Sequence, residues 1–123
     1  MTLNHARVTG QRFQLGRTVI TRGALAFCED NNIDYLDLII RHAVGDFGTV
    51  GRLTDAALTT IELEKGALVT SNDLKLSAVA VQREEGILMS VYPCPGFQDS
   101  TIWIQTMLAG DDTYTTVLLP SEY

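Results

Sequence analysis

The hydrophobic spacing of this chain changes period at Gly66, and that change limits the architectures open to it. Before Gly66, apart from the β-branched run Arg17–Thr21, apolar residues recur at helical spacing. After it they alternate. Helices gathered ahead of strands predict an α+β fold. About three N-terminal helices should pack on one face of a C-terminal antiparallel sheet of four to five strands. The pattern argues against alternating βαβ units, and no Gly-x-Gly-x-x-Gly or phosphate loop is present to suggest a nucleotide-binding sheet. With 123 residues, the chain is expected to form a single domain over 1–123. It should bury a core without disulfides or metals.

The elements follow from local signals. Arg17–Thr21 reads as a short strand. Thr21 can cap a helix running to about Asp30, which Asn31 and Asn32 stop. Asp34 is a good cap for a second helix, and Leu36, Ile39, Ile40 and Ala43 have the spacing of its buried stripe. Gly45 is placed to end it. A third helix is expected from 54 or 55 to 65. Strands are expected over 67–70, 76–82, 87–92, 101–108 and 113–119, with turns at Glu84-Glu85-Gly86 and Gly110-Asp111-Asp112. Pro93 and Pro95 cannot continue a ladder, because proline has no N–H to donate.

Charge narrows the partners. The net charge of −6 argues against bulk nucleic acid. Residues 1–22 carry four arginines and no acid, whereas the remainder carries five basic and fifteen acidic residues. Residues 1–12 therefore read as a basic arm, either mobile or laid on the chain's own acidic surface. Arg7, Arg12 and Arg17 are candidate partner-binding residues. No apolar run reaches the ~18 residues of a membrane span, and the arginines interrupt any signal-like N-terminus, so no membrane partner and a cytoplasmic location are expected. Cys28 and Cys94 are expected to be free thiols. No Cys-x-x-Cys or His-x-x-x-His pair exists, so neither a metal nor a cofactor is expected.

Three stretches carry a resemblance: Leu15–Thr21 leading into Gly23-Ala24-Leu25, Arg41–Gly48, and Thr116–Tyr123. Together they resemble a family of small bacterial proteins from plasmids, phages and integrated elements. Some members are labelled "type I restriction endonuclease subunit M", although the family's activity is undetermined. A methyltransferase subunit needs a doubly wound cofactor domain, and this chain has neither the length nor the motif, so the label does not transfer. The resemblance implies a mobile-element setting and a role in conflict between element and host. Asp111-Asp112-Thr113 stands where the family commonly has Arg-Ser, and extra residues lie near 66–76 and in the Pro93–Thr101 loop.

The sharpest chemical candidate is Arg41, His42 and Asp46, with Tyr92 as a proton donor or stacking ring. On a continuing helix His42 and Asp46 would share a face, and an imidazole beside a carboxylate is a general base. With Arg41 on a phosphate, the set would suit a metal-independent ribonuclease, and helices before an antiparallel sheet loosely resemble small toxin ribonucleases. The competing reading is structural: a histidine favoured by the helix C-terminus, and Asp46 bracing the Gly45–Gly48 turn. An exposed His42 within reach of Asp46 or Tyr92 would favour the enzyme, and a His42 buried against the sheet would disfavour it. Trp103, Gln105 and Met107 share a strand face, expected to pack in the core or, if open, to meet a partner. Phe97 tips a loop stiffened by Pro93 and Pro95 and is a further partner candidate.

The leading expectation is a non-enzymatic acidic accessory protein of a mobile element, binding a host or element-encoded protein, with an anti-defence role. The alternative is the His42 ribonuclease. A homo-oligomer is a third reading, marked by an apolar Trp103 face.

Overall fold

The computed structural model describes residues 2–3, 10–50, 52, 80–81, 83–94 and 100–123. In chain order the elements are β1 (Thr2–Leu3), β2 (Arg17–Ile20), α1 (Arg22–Asp30), α2 (Tyr35–Ala43), β3 (Glu85–Pro93), β4 (Thr101–Ala109) and β5 (Tyr114–Leu118). The class is α+β. Two α-helical elements stand among the described residues where three were expected. The third expected helix, and the strand at 67–70, fall outside those residues. The strand expected over 76–82 is corrected where it can be seen: Ala80 and Val81 are helical.

Both helices begin where short polar side chains can accept from their first free N–H groups. Thr21 Oγ1 accepts from the Ala24 amide at 3.2 Å. Asp34 Oδ1 accepts from Leu36 and Asp37 at 3.0 and 3.3 Å. Asn31 closes α1, and Asn32 takes the left-handed conformation with φ 55°. The helix α2 stops at Ala43 as Gly45 turns to φ 90°.

The sheet order is β1-β2-β5-β4-β3. The β3–β4 hairpin runs nine pairs, from Glu85↔Ala109 to Pro93↔Thr101. A 3-10 turn at Gly110–Asp112 leads into β5, which pairs antiparallel to β4. The expectation of a purely antiparallel sheet is corrected at β2, which pairs parallel to β5 from Arg17↔Tyr114 to Ile20↔Val117. Parallel neighbours need a long crossover. Here both helices and the β3–β4 hairpin lie between the two strands, so the early strand joins at no topological cost. Local pattern carries no signal for that pairing.

One face of the sheet is core. Ile20, Ile102, Ile104 and Val117 pack with Ala24, Cys28, Leu38 and Ile39 of the helices, and with Tyr92 and Cys94. A second cluster gathers Phe13, Phe47, Val50, Leu88 and Leu108. The expected stripe of α2 is corrected in part: Ile39 and Ala43 are buried as expected, but Leu36 and Ile40 are 51% and 46% exposed, and Leu38 and His42 complete the buried face. The helix is rotated so that its histidine meets the sheet together with Leu38 and Ile39.

Candidate functional site

His42 is completely enclosed. Its ring makes T-shaped contacts with Phe13 and Phe47, with centroids at 5.2 and 5.6 Å. Nδ1 lies 2.5 Å from Ser90 Oγ on β3, and Nε2 lies 2.8 Å from Thr106 Oγ1 on β4. Thr106 Oγ1 is in turn 2.7 Å from Thr115 Oγ1 on β5, which donates to the Leu15 carbonyl at 2.7 Å. Proton counting orients the whole chain, because each hydroxyl has one hydrogen. Thr115 spends its hydrogen on a carbonyl, so Thr106 must donate to Thr115. Nε2–H must then donate to Thr106, and bare Nδ1 must accept from Ser90. The imidazole is thus a neutral Nε2–H tautomer with both nitrogens occupied. Burial lowers its pKa from the ordinary 6.5 to about 3.

The carboxylate expected beside it is elsewhere. Because α2 ends at Ala43 and Gly45 reverses the backbone, Asp46 does not reach the His42 face. Its Oδ2 instead meets Arg41 Nε at 3.0 Å and the exposed Arg52 at 3.5 Å, while Oδ1 accepts from the Gly48 amide at 3.3 Å. Burial pushes the Asp46 carboxyl upward, but its hydrogen bonds to Arg41 and Gly48 and the two guanidinium charges hold it below its usual range. Tyr92 donates to the Asp46 backbone carbonyl at 2.6 Å, and the Arg41 guanidinium sits 4.6 Å above its ring. Desolvation chiefly pushes the Tyr92 phenol upward. Gly48 has φ 66° and packs so closely on the Val91 carbonyl that a side chain there would collide with it.

The four residues therefore separate into a brace, in which part-exposed Arg41 and Asp46 sit over the buried Tyr92, and an inward peg, His42. The brace fixes the 46–50 loop against β3, where Val91 donates to Phe47 at 3.1 Å and accepts from Thr49 at 2.9 Å. A general base needs a free nitrogen facing a substrate, and His42 has none. The His42–Asp46 pairing on which the ribonuclease reading rests does not form. An open depression of about 640 Å³ beside β3 is lined, among the described residues, by Ala80, Arg83, Glu85, Ile87, Leu108 and others that include no imidazole or thiol. Among the described residues, no group of three His, Cys, Asp or Glu side chains could hold a metal.

The other candidates meet on the opposite face of the sheet. Register places Arg17, Tyr114, Met107 and Ile87 in one row across β2, β5, β4 and β3. Val19, Thr116, Gln105 and Met89 form the next row, and Leu118, Trp103 and Val91 a third. Tyr114 and Ile87 are 46% and 45% exposed, and Arg17 is exposed. Trp103 is half-buried under its edge-on contact with Tyr123, at 5.4 Å between centroids. The core therefore takes Ile102, Ile104, Thr106 and Leu108 from β4, and the Trp103 face is the less covered one among the described residues. The alternation marked two faces; it did not say which would be covered.

Arg12 is exposed, and its amide donates to Ala43 at 2.8 Å. Arg7 and Phe97 lie outside the described residues. Sequence reasoning missed the Ser90–His42–Thr106–Thr115 chain, because its members are far apart in sequence. It also missed that Cys28 and Cys94 share one core cluster. Burial, with Cys94 nearby, pushes the Cys28 thiol up to about 11. No helix among the described residues is long and apolar enough to cross a membrane.

Compared with protein-family profiles, with curated proteins and with solved structures, the chain matches none.

Proposed function

We propose that this protein is a non-enzymatic accessory protein that acts by binding another protein through the outer face of its sheet. The carrying observation is the exposure on that face: among the described residues, Ile87 and Tyr114 stand out as exposed apolar side chains beside half-buried Met89, Trp103 and Met107. A second observation supports it. The buried imidazole of His42 has both nitrogens taken by hydroxyls of the sheet, so it serves to hold helix to sheet. The resemblance to plasmid- and phage-borne proteins would make the partner a host or element-encoded protein, in an anti-defence role. The net charge of −6 favours a partner with a basic rim around an apolar centre.

Affinity capture from host lysate tests this, comparing wild type with Met107→Lys, which places a charge in the middle of the face. A defined protein held by wild type and released by Met107→Lys is the expected result. Protein retention indifferent to Met107, or RNA cleavage by the purified chain, would overturn it.

A further inference from the structure

The open face has two polar features that bear on its occupant. Arg17 stands at its β2 side and Glu85 at its β3 side, toward the same end of the strands. Both are exposed, and among the described residues neither makes an ion pair within the chain. Between them the first row holds Tyr114 and Met107. The second row holds Thr116 and Gln105, flanked by Val19 and Met89.

We propose that this face pairs with the same face of a second copy of this chain, about a two-fold axis parallel to the strands and passing between β4 and β5. The proposal rests on the reading of this face as a docking surface and gives it a second copy, in place of a foreign protein, as occupant. Such an axis exchanges β2 with the partner's β3 and β5 with the partner's β4. Tyr114 then lies over Met107, Thr116 over Gln105, and Val19 over Met89. Each contact occurs twice, as a closed two-fold interface requires. Apolar meets apolar, and the two polar side chains at the centre meet each other. Arg17 lies over Ile87 and reaches Glu85 one step further along the same strand, so both lone charges find opposite partners. Sheets packed face to face keep their strands within about 30° of parallel, which this axis satisfies. A surface of a few rows, on a chain of net charge −6, gives a weak dimer with a Kd of about micromolar. The Asp111-Asp112 turns sit near the axis and add to that weakness.

Sedimentation velocity from about 1 µM to about 1 mM tests it. The expected result is a mass rising from 13.5 kDa toward twice that value. Arg17→Glu and Glu85→Arg should each weaken association about tenfold, and the double exchange should restore it. Circular dichroism and urea midpoints of all variants confirm that the fold is retained. A wild type that stays monomeric across the range overturns the proposal. So does a dimer indifferent to both single reversals, or one that the double exchange does not restore. A monomeric wild type whose foreign partner is still released by Met107→Lys overturns self-association alone and leaves the docking reading standing. A dimer that passes the charge exchange while no foreign protein is ever held supports self-association and removes the foreign partner.

Discussion

His42 donates from Nε2 to Thr106 Oγ1 at 2.8 Å, so the last turn of α2 is hydrogen-bonded to the middle of the sheet. Both side chains are fully buried, and Phe13 and Phe47 stand in T-shaped contact with the imidazole. There a hydrogen bond is strong, and an unpaired partner is costly.

Removing the Ser90 hydroxyl strands a bare nitrogen. Ser90→Ala should cost about 1–3 kcal/mol in urea unfolding, and His42→Ala more, since it opens a cavity and orphans two hydroxyls. In ¹⁵N spectra the ring should show the Nε2–H pattern and remain unprotonated from pH 8 down to about 5.

The same ring makes stability depend on acid. Unfolded His42 takes a proton near 6.5, and the folded form does so only near 3. Its contribution is complete above the unfolded value and is lost as pH falls between the two. The loss approaches about 1.4 kcal/mol per pH unit. His42→Gln measured in parallel should show a shallower decline over that window. Equal slopes would contradict the assignment.

The brace should matter less. Asp46→Asn keeps an acceptor for the Gly48 amide but loses the ion pairs with the part-exposed Arg41 and the exposed Arg52. A cost of roughly 0–1 kcal/mol is expected. Asp46 is held below its usual range, so its contribution is present at neutral pH and disappears as pH falls through the acid range.

Two thiols in one core should be silent. Cys28 and Cys94 are buried, and burial raises both above their ordinary value. Neither should react with a thiol reagent at pH 8 under native conditions, and both should react once guanidinium unfolds the chain. Native labelling of either would contradict the core placement.

The rotation of α2 gives the last prediction. Leu36→Lys and Ile40→Lys should each change stability by less than about 0.5 kcal/mol. Ile39→Lys should unfold the protein, because the charge would enter the core beside Cys28 and Tyr92. Thermal unfolding of the three variants distinguishes this face from the one the hydrophobic spacing suggests.

The sequence by itself determined the local events. Thr21 and Asp34 cap the two helices because their short oxygens can reach amides two or three residues on. Asn32 and Gly45 end them because they accept left-handed backbone. The turn at Gly110 and the approximate limits of β4 and β5 follow from similarly short-range rules, whereas β3 runs from Glu85 to Pro93, past the expected 87–92 at both ends, and takes in a proline not expected in the ladder. Tertiary structure alone decided what crosses the chain: the parallel pairing of β2 with β5, the rotation that faces His42 inward, its separation from Asp46, and the choice of Ile102–Leu108 over Trp103–Met107 for the core. The physical reason is range. Caps and turns are settled by atoms within four residues, whereas a buried imidazole takes its orientation from hydroxyls 48 and 64 positions away, which only the assembled sheet brings to it.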